Sequence, residues 1–328
     1  MRTESGWSSV AGRTLLALVL VVAVVAGAAR LLRDGVGSFL GSEGCTAEVG
    51  EVTVDLSIEQ AENAAIIAAV GVRRGLPARA VSIALATAYQ ESKIVNLDYG
   101  DRDSLGLFQQ RPSQGWGTAE QIQDPYYATN EFYDELVQVE GFESMRITEA
   151  AQRVQRSGFP EAYEDHAADG RALASALTGY SEARFTCVAR PDEGAAQEET
   201  ASGLTPRAEK VRADVVRAFG EQALGGFAPG GVRDGHVEGS AHYEGRAVDV
   251  FFRPVNDVNK RRGWSLAHYL VAHADRLQIS TVIFDARIWT SGARSESGWR
   301  DYDPGDRSGD RAILEHRDHV HVDVTAGG

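Results

Sequence analysis

"GSAHYEGRAVDVFF", residues 239–252, decides how the distal half of the chain is read. His242 stands in a run of Gly and small residues. Asp249 stands inside an apolar segment, 247–252, whose length and composition predict a buried strand. A carboxylate there costs free energy unless a partner offsets its charge. Candidate partners stand in "EHRDHVHVDV", residues 315–324. His319 and His321 are two apart in a second strand pattern, 319–325. Both imidazoles therefore leave one face while Val320 and Val322 leave the other. With His242 and Asp249 they make a metal-ligand set, and a divalent cation becomes the partner of Asp249. A helix over 265–277, a further strand run over 280–289 and a polar loop over 294–311 complete an α+β pattern.

This combination resembles the zinc peptidase superfamily of lysostaphin-type enzymes, D-Ala-D-Ala carboxypeptidases and hedgehog domains. The carboxypeptidase branch carries Ser-x-His-x-x-Gly-x-Ala-x-Asp, and Ser240, His242, Gly245, Ala247 and Asp249 match every fixed position. The resemblance covers 206–325. It implies one Zn2+ bound by His242, Asp249 and His321, with His319 lining the site and a fourth place left for water. In relatives a glutamate three residues before the last ligand acts as base. Here that position is Asp318, so the role falls to Asp318 or His319. Arg233 lies where relatives bind substrate through an arginine, the alternative being a solvated loop residue. Ser240 joins the substrate-binding set by the same resemblance. His236 and His316 read as surface histidines rather than supporting donors.

The proximal half turns on "YQESKIVNLDYGDRDSLGLFQQRPSQGW", residues 89–116. Glu91 ends a predicted helix, 77–90, that is apolar all round. Apolar neighbours would keep its carboxyl protonated as a general acid, the alternative being a solvated glutamate at a helix end. "QES" followed by "GLFQQRP" resembles lytic transglycosylases and goose-type lysozymes over 57–187. The resemblance makes Glu91 the catalytic acid and Gln109 a groove residue, with Phe108 where Met is common. Tyr180, in Thr178-Gly179-Tyr180-Ser181, stands in for a tyrosine of the family's Ala-Tyr-Asn segment, with Ser181 replacing Asn. Asp98, Asp101 and Asp103 are either a second carboxylate or turn formers around Gly100.

The surrounding sequence reads mostly helical. Ser57-Ile58-Glu59-Gln60 is a capping box opening a helix over 58–70. Further helical patterns cover 126–139, 148–155 and 171–177, and Thr205-Pro206 opens another to Phe219. Cys45 and Cys187 are the only cysteines. They are a disulfide in an oxidising compartment, or two buried thiols. The uncharged run "TLLALVLVVAVVAGAA", residues 14–29, reads as a single-pass anchor with extracytoplasmic domains, or as the core of a cleaved signal peptide. A net charge of −14 over 328 residues argues against a nucleic-acid partner.

The expected fold is multi-domain: a mainly α lysozyme-like domain followed by a small α+β zinc-peptidase-like domain. Residues 1–37 are a tip and anchor, 38–189 the glycan-cleaving domain, 190–204 an acidic linker and 205–328 the peptidase-like domain. The expected function is an exported peptidoglycan hydrolase that cuts glycan strands and stem peptides. The alternative is a wall-binding scaffold with one or both halves inactive.

Overall fold

A computed structural model describes residues 42–159 and 161–328. The expected anchor segment, 14–29, lies outside the described residues. Among those described, no helix is long and apolar enough to cross a membrane. The membrane partner and single-pass location are corrected to this extent: the described residues supply no span for them.

The chain opens with a hairpin, β1 (Gly44–Val49) and β2 (Val52–Leu56), turning through Gly50 at φ 62°. Helix α1 (Ile58–Arg73) follows. Ser57 Oγ accepts from Gln60 N and Gln60 Oε1 accepts from Ser57 N, the reciprocal cap anticipated above. Pro77 sits just before α2 (Ala78–Ser92), whose residues 80–88 are buried on every side, so α2 is the central helix of this part. Around it lie α3 (Pro125–Val137), α4 (Ile147–Gln155) and α5 (Ala167–Leu177). Strand β3 (Phe185–Val188) then returns to β1, making a three-stranded antiparallel sheet in the order β2-β1-β3. Cys45 and Cys187 face each other in the β1–β3 register and form a disulfide closing a separation of 142 residues.

Helix α6 (Pro206–Phe219) is capped by Thr205, whose hydroxyl accepts from Ala208 N. The second sheet is antiparallel with six strands, in the order β4-β5-β9-β6-β7-β8. Its members are β4 (Leu224–Gly225), β5 (Ala247–Phe251), β6 (Ile279–Phe284), β7 (Arg287–Thr290), β8 (Arg300–Asp301) and β9 (His319–Val324). Helix α7 (Asp257–Ala272) precedes β6. The single run expected over 280–289 is a hairpin, because Asp285 and Ala286 both adopt positive φ. The register sets Asp249 directly opposite His321 and Phe251 opposite His319.

The expected fold class is corrected on two counts. The segment bracketed by the cysteines carries its own β-sheet. The two sheets and the helices together form a mixed α/β unit over Glu43–Gly328. The physical reason is α7. Residues 263–272 are buried all round, so the helix needs cover on both sides. Trp264 packs edge-on to Phe284 of β6. On the other side Ser265 Oγ donates to Leu177 O, and His268 Nδ1 donates to Ala176 O, both at the end of α5. Trp289 Nε1 donates to Cys187 O and Trp299 Nε1 to Phe185 O, which fasten the outer strands to β3. The apolar core is therefore continuous across both halves.

Candidate functional site

His242 lies in a 3-10 turn, Ala241–Glu244, that Ser240 caps by accepting from His242 N. Ser240 thus shapes the turn that presents His242. Strands β5 and β9 supply the other groups. Because they are central and adjacent, Asp249 and His321 meet as a cross-strand pair under cover, 6% and 8% exposed. His242 Nε2 lies 3.0 Å from His321 Nδ1 and 3.3 Å from Asp249 Oδ1, and His321 Nδ1 lies 3.1 Å from the same oxygen.

The outer ring nitrogens explain this convergence. His242 Nδ1 donates to Gly226 O at 2.7 Å, and that carbonyl can only accept. His321 Nε2 donates to the Asp323 carboxylate at 3.2 Å. Each imidazole therefore directs its remaining nitrogen at Asp249. Metal-binding histidines are commonly oriented this way by a carbonyl or carboxylate behind the ring. A proton on His321 offsets the Asp249 charge in this arrangement. Burial alone would lower the His321 imidazolium, but hydrogen bonds and charge from Asp249 and Asp323 push it up to about 10. Burial likewise acts to raise Asp249, and hydrogen bonds from His242 and His321 outweigh it and hold the carboxyl well below the usual range.

A cleft of about 990 Å³ opens over these groups. Two histidines read as surface residues belong to its wall, which corrects that expectation. The His236 ring stacks on His242 with centroids 3.9 Å apart. Donor atoms of His236, His242 and Asp249 all lie within 4.8 Å of one another, a group able to hold a metal ion. His316 lies 4.6 Å from His319, ring to ring, and burial with the charges of His319 and His321 pushes it down to about 2. The sequence signal for His236 was its place six residues before His242 in a Gly-rich loop. Nothing marked Asp323 or Gly226.

Asp318 and His319 are neighbours with divided roles. Asp318 Oδ1 accepts from His319 Nδ1 at 2.7 Å, and Oδ2 accepts from Arg253 Nε at 2.7 Å. His319 then presents Nε2 toward Asp249 Oδ1, at 3.9 Å. Arg233 is exposed, and its guanidinium donates to Gly230 O of its own loop. Arg246, Arg253 and Arg307, not Arg233, line the cleft.

In the proximal half, Ser92 Oγ donates to Leu107 O at 2.8 Å, tying the end of α2 to the Gly106-Leu107-Phe108-Gln109 turn. Glu91 is half-buried, and Tyr163 OH donates to its Oε1 at 2.7 Å. Gln109 folds back on Tyr99 O and Gly106 O. Tyr180 is 60% exposed and lies against the Arg261 guanidinium of α7, so its contacts tie it to that helix. Asp103 accepts from Ser113 N and Arg111 Nε, as a turn-forming residue does, and Asp98 and Asp101 are exposed.

The geometry thus defines a mixed α/β protein with a buried histidine–carboxylate cluster at the floor of a cleft. Residues 200–312 match the family model described as VldE, C-terminal domain. The match takes in His236, His242 and Asp249 and ends before His319 and His321. Among curated proteins none matches the chain.

Proposed function

We propose that the chain is a peptidoglycan hydrolase whose distal half is a zinc-dependent peptidase acting on stem peptides. The observation that carries this reading is the triangle of His242 Nε2, Asp249 Oδ1 and His321 Nδ1, with edges of 3.0 to 3.3 Å. A tetrahedral ion about 2 Å from its donors has donor–donor edges of about 3.3 Å. Two imidazoles and one carboxylate also suit zinc chemically. Bound there, the ion would act as a Lewis acid toward a carbonyl and make a nucleophile of water near neutral pH. The protein's own groups do the rest. Both oxygens of Asp318 are engaged, so it is a positioning residue that fixes the His319 ring. His319 Nε2, facing the triangle, takes up and returns the proton. Arg253 holds the Asp318 carboxylate in place.

The same proposal assigns glycan cleavage to the proximal half, with Glu91 as proton donor. It is supported by the Ser92–Leu107 tie, which brings the two resembling motifs together, and by the Tyr163 hydroxyl that fixes the Glu91 carboxyl.

Metal analysis of the purified chain, followed by mass spectrometry of a muropeptide digest, tests both assignments. About one equivalent of zinc is expected. Peptide trimming should vanish with His242→Ala or a chelator, and glycan fragments should vanish with Glu91→Gln. Zinc binding without any product would favour a protein that holds muropeptide without cutting it.

A further inference from the structure

Resting on the metal-centre reading above, we propose that His236 is a fourth, displaceable donor to the same ion. The loop that carries it then decides whether the fourth coordination position is filled by protein or open to an exogenous ligand.

Four observations support this. The His236 ring stacks on His242 at 3.9 Å with planes 24° apart, and its donor atom lies within 4.8 Å of those of His242 and Asp249. Tetrahedral donors sit about 3.3 Å apart, so the His236 ring completes the set by tilting out of the stack and moving about 1.5 Å closer. The backbone of His236 is held in register with the turn that bears His242. Tyr243 OH donates to His236 O at 2.6 Å and accepts from His236 N at 3.0 Å. Neither ring nitrogen of His236 has a hydrogen-bond partner among the described residues, unlike those of His242 and His321, which are committed on their outer sides. Finally, the loop is built on glycines. Gly230, Gly235 and Gly239 have φ of 83°, 86° and 75°, and an added Cβ at any of them would meet no atom within 4 Å. Tyr243 thus ties His236 to the turn that bears His242, with glycines on both sides of that tie.

The chemical consequence is direct. Zinc held by four protein ligands is closed, whereas three protein ligands leave a place for water or substrate. With His236 engaged the centre is resting. With His236 withdrawn it is open.

The test uses the full chain loaded with Co2+ and titrated with azide, read in the visible d–d absorption, with metal affinity measured by chelator competition. His236→Ala should bind azide at least tenfold more tightly than the parent chain and hold Co2+ at least tenfold more weakly. Tyr243→Phe, which removes the tether but keeps the ring, should shift azide binding the same way by a smaller factor. Equal azide and metal affinities in the parent and His236→Ala chains would overturn the proposal. His242→Ala separates the two levels. If that variant loses Co2+ while His236→Ala matches the parent, only this inference fails. If His242→Ala keeps parental Co2+ affinity, the metal-centre reading itself fails.

Discussion

Asp249 and His321 face each other across the β5–β9 register, with Oδ1 and Nδ1 3.1 Å apart in a buried setting. On the proposed metal-centre reading, a proton shared by this pair leaves when a cation enters. Because His321 is pushed up to about 10, it is charged throughout the neutral range. Cation binding should then release about one proton and tighten roughly tenfold per pH unit as pH rises from 6.5 to 8. Calorimetry in buffers of different ionisation enthalpy measures the released proton. A pH-independent affinity would show that His321 is no ligand.

Asp323 stands behind His321 and accepts from its Nε2. Asp323→Asn keeps the shape and removes the charge. Metal affinity should fall by about 10- to 100-fold with the fold intact, the usual effect of losing such a supporting carboxylate. Chelator competition and circular dichroism check the two halves of that statement.

Gly226 has φ 78°, and an added Cβ would lie 2.3 Å from His242 Cε1. Its carbonyl also orients the His242 ring. Gly226→Ala should displace that ring, abolish metal binding and lower stability by about 1 to 3 kcal/mol. Metal content and denaturant unfolding measure both, and parental metal binding in this variant would count against the geometry.

Two buried histidines outside the site set the acid limit. His268 and His273 are both held down to about 4, chiefly by burial. Each folded value lies below the unfolded value near 6.5, so the unfolded chain binds more protons in that interval. Their contribution is complete above about pH 6.5 and is lost as pH falls toward 4, on the order of 3 kcal/mol each. Thermal melts between pH 7 and 4 should show this decline, and His273→Gln should flatten it by about half.

The Cys45–Cys187 bridge closes 142 residues and ties β3 to β1. The chain-entropy model gives about 5 kcal/mol for such a loop. Reduction should lower the melting temperature by on the order of 10 °C. An unchanged melt would show that the β1–β3 pairing holds without it.

Much of the site was legible because its residues carry local signals. An aspartate in an apolar strand and a His-x-His alternation are visible without tertiary information, and β5 and β9 formed where that pattern placed them. Helix starts at Ser57 and Thr205 were legible for the same reason, since a cap is written in neighbouring residues. The sheet made by β1, β2 and β3 was not, because β3 pairs with β1 from the far end of a helical segment. Strand pairing at that separation leaves no short-range mark. The segment 190–204 looked like a free linker by composition. In the structure Gln278 Nε2 donates to Asp192 O and Thr325 Oγ1 to Glu193 O, contacts that composition does not encode. His236 had only its nearness to His242 in a Gly-rich loop to mark it, and the Tyr243 contact that folds it onto His242 is tertiary.

A crystal structure of the zinc-saturated chain, with anomalous data at the zinc edge, would locate the ion. One strong peak is expected about 2.0 to 2.2 Å from His242 Nε2, Asp249 Oδ1 and His321 Nδ1. No peak there, with His321 still bridging Asp249 and Asp323, would contradict it.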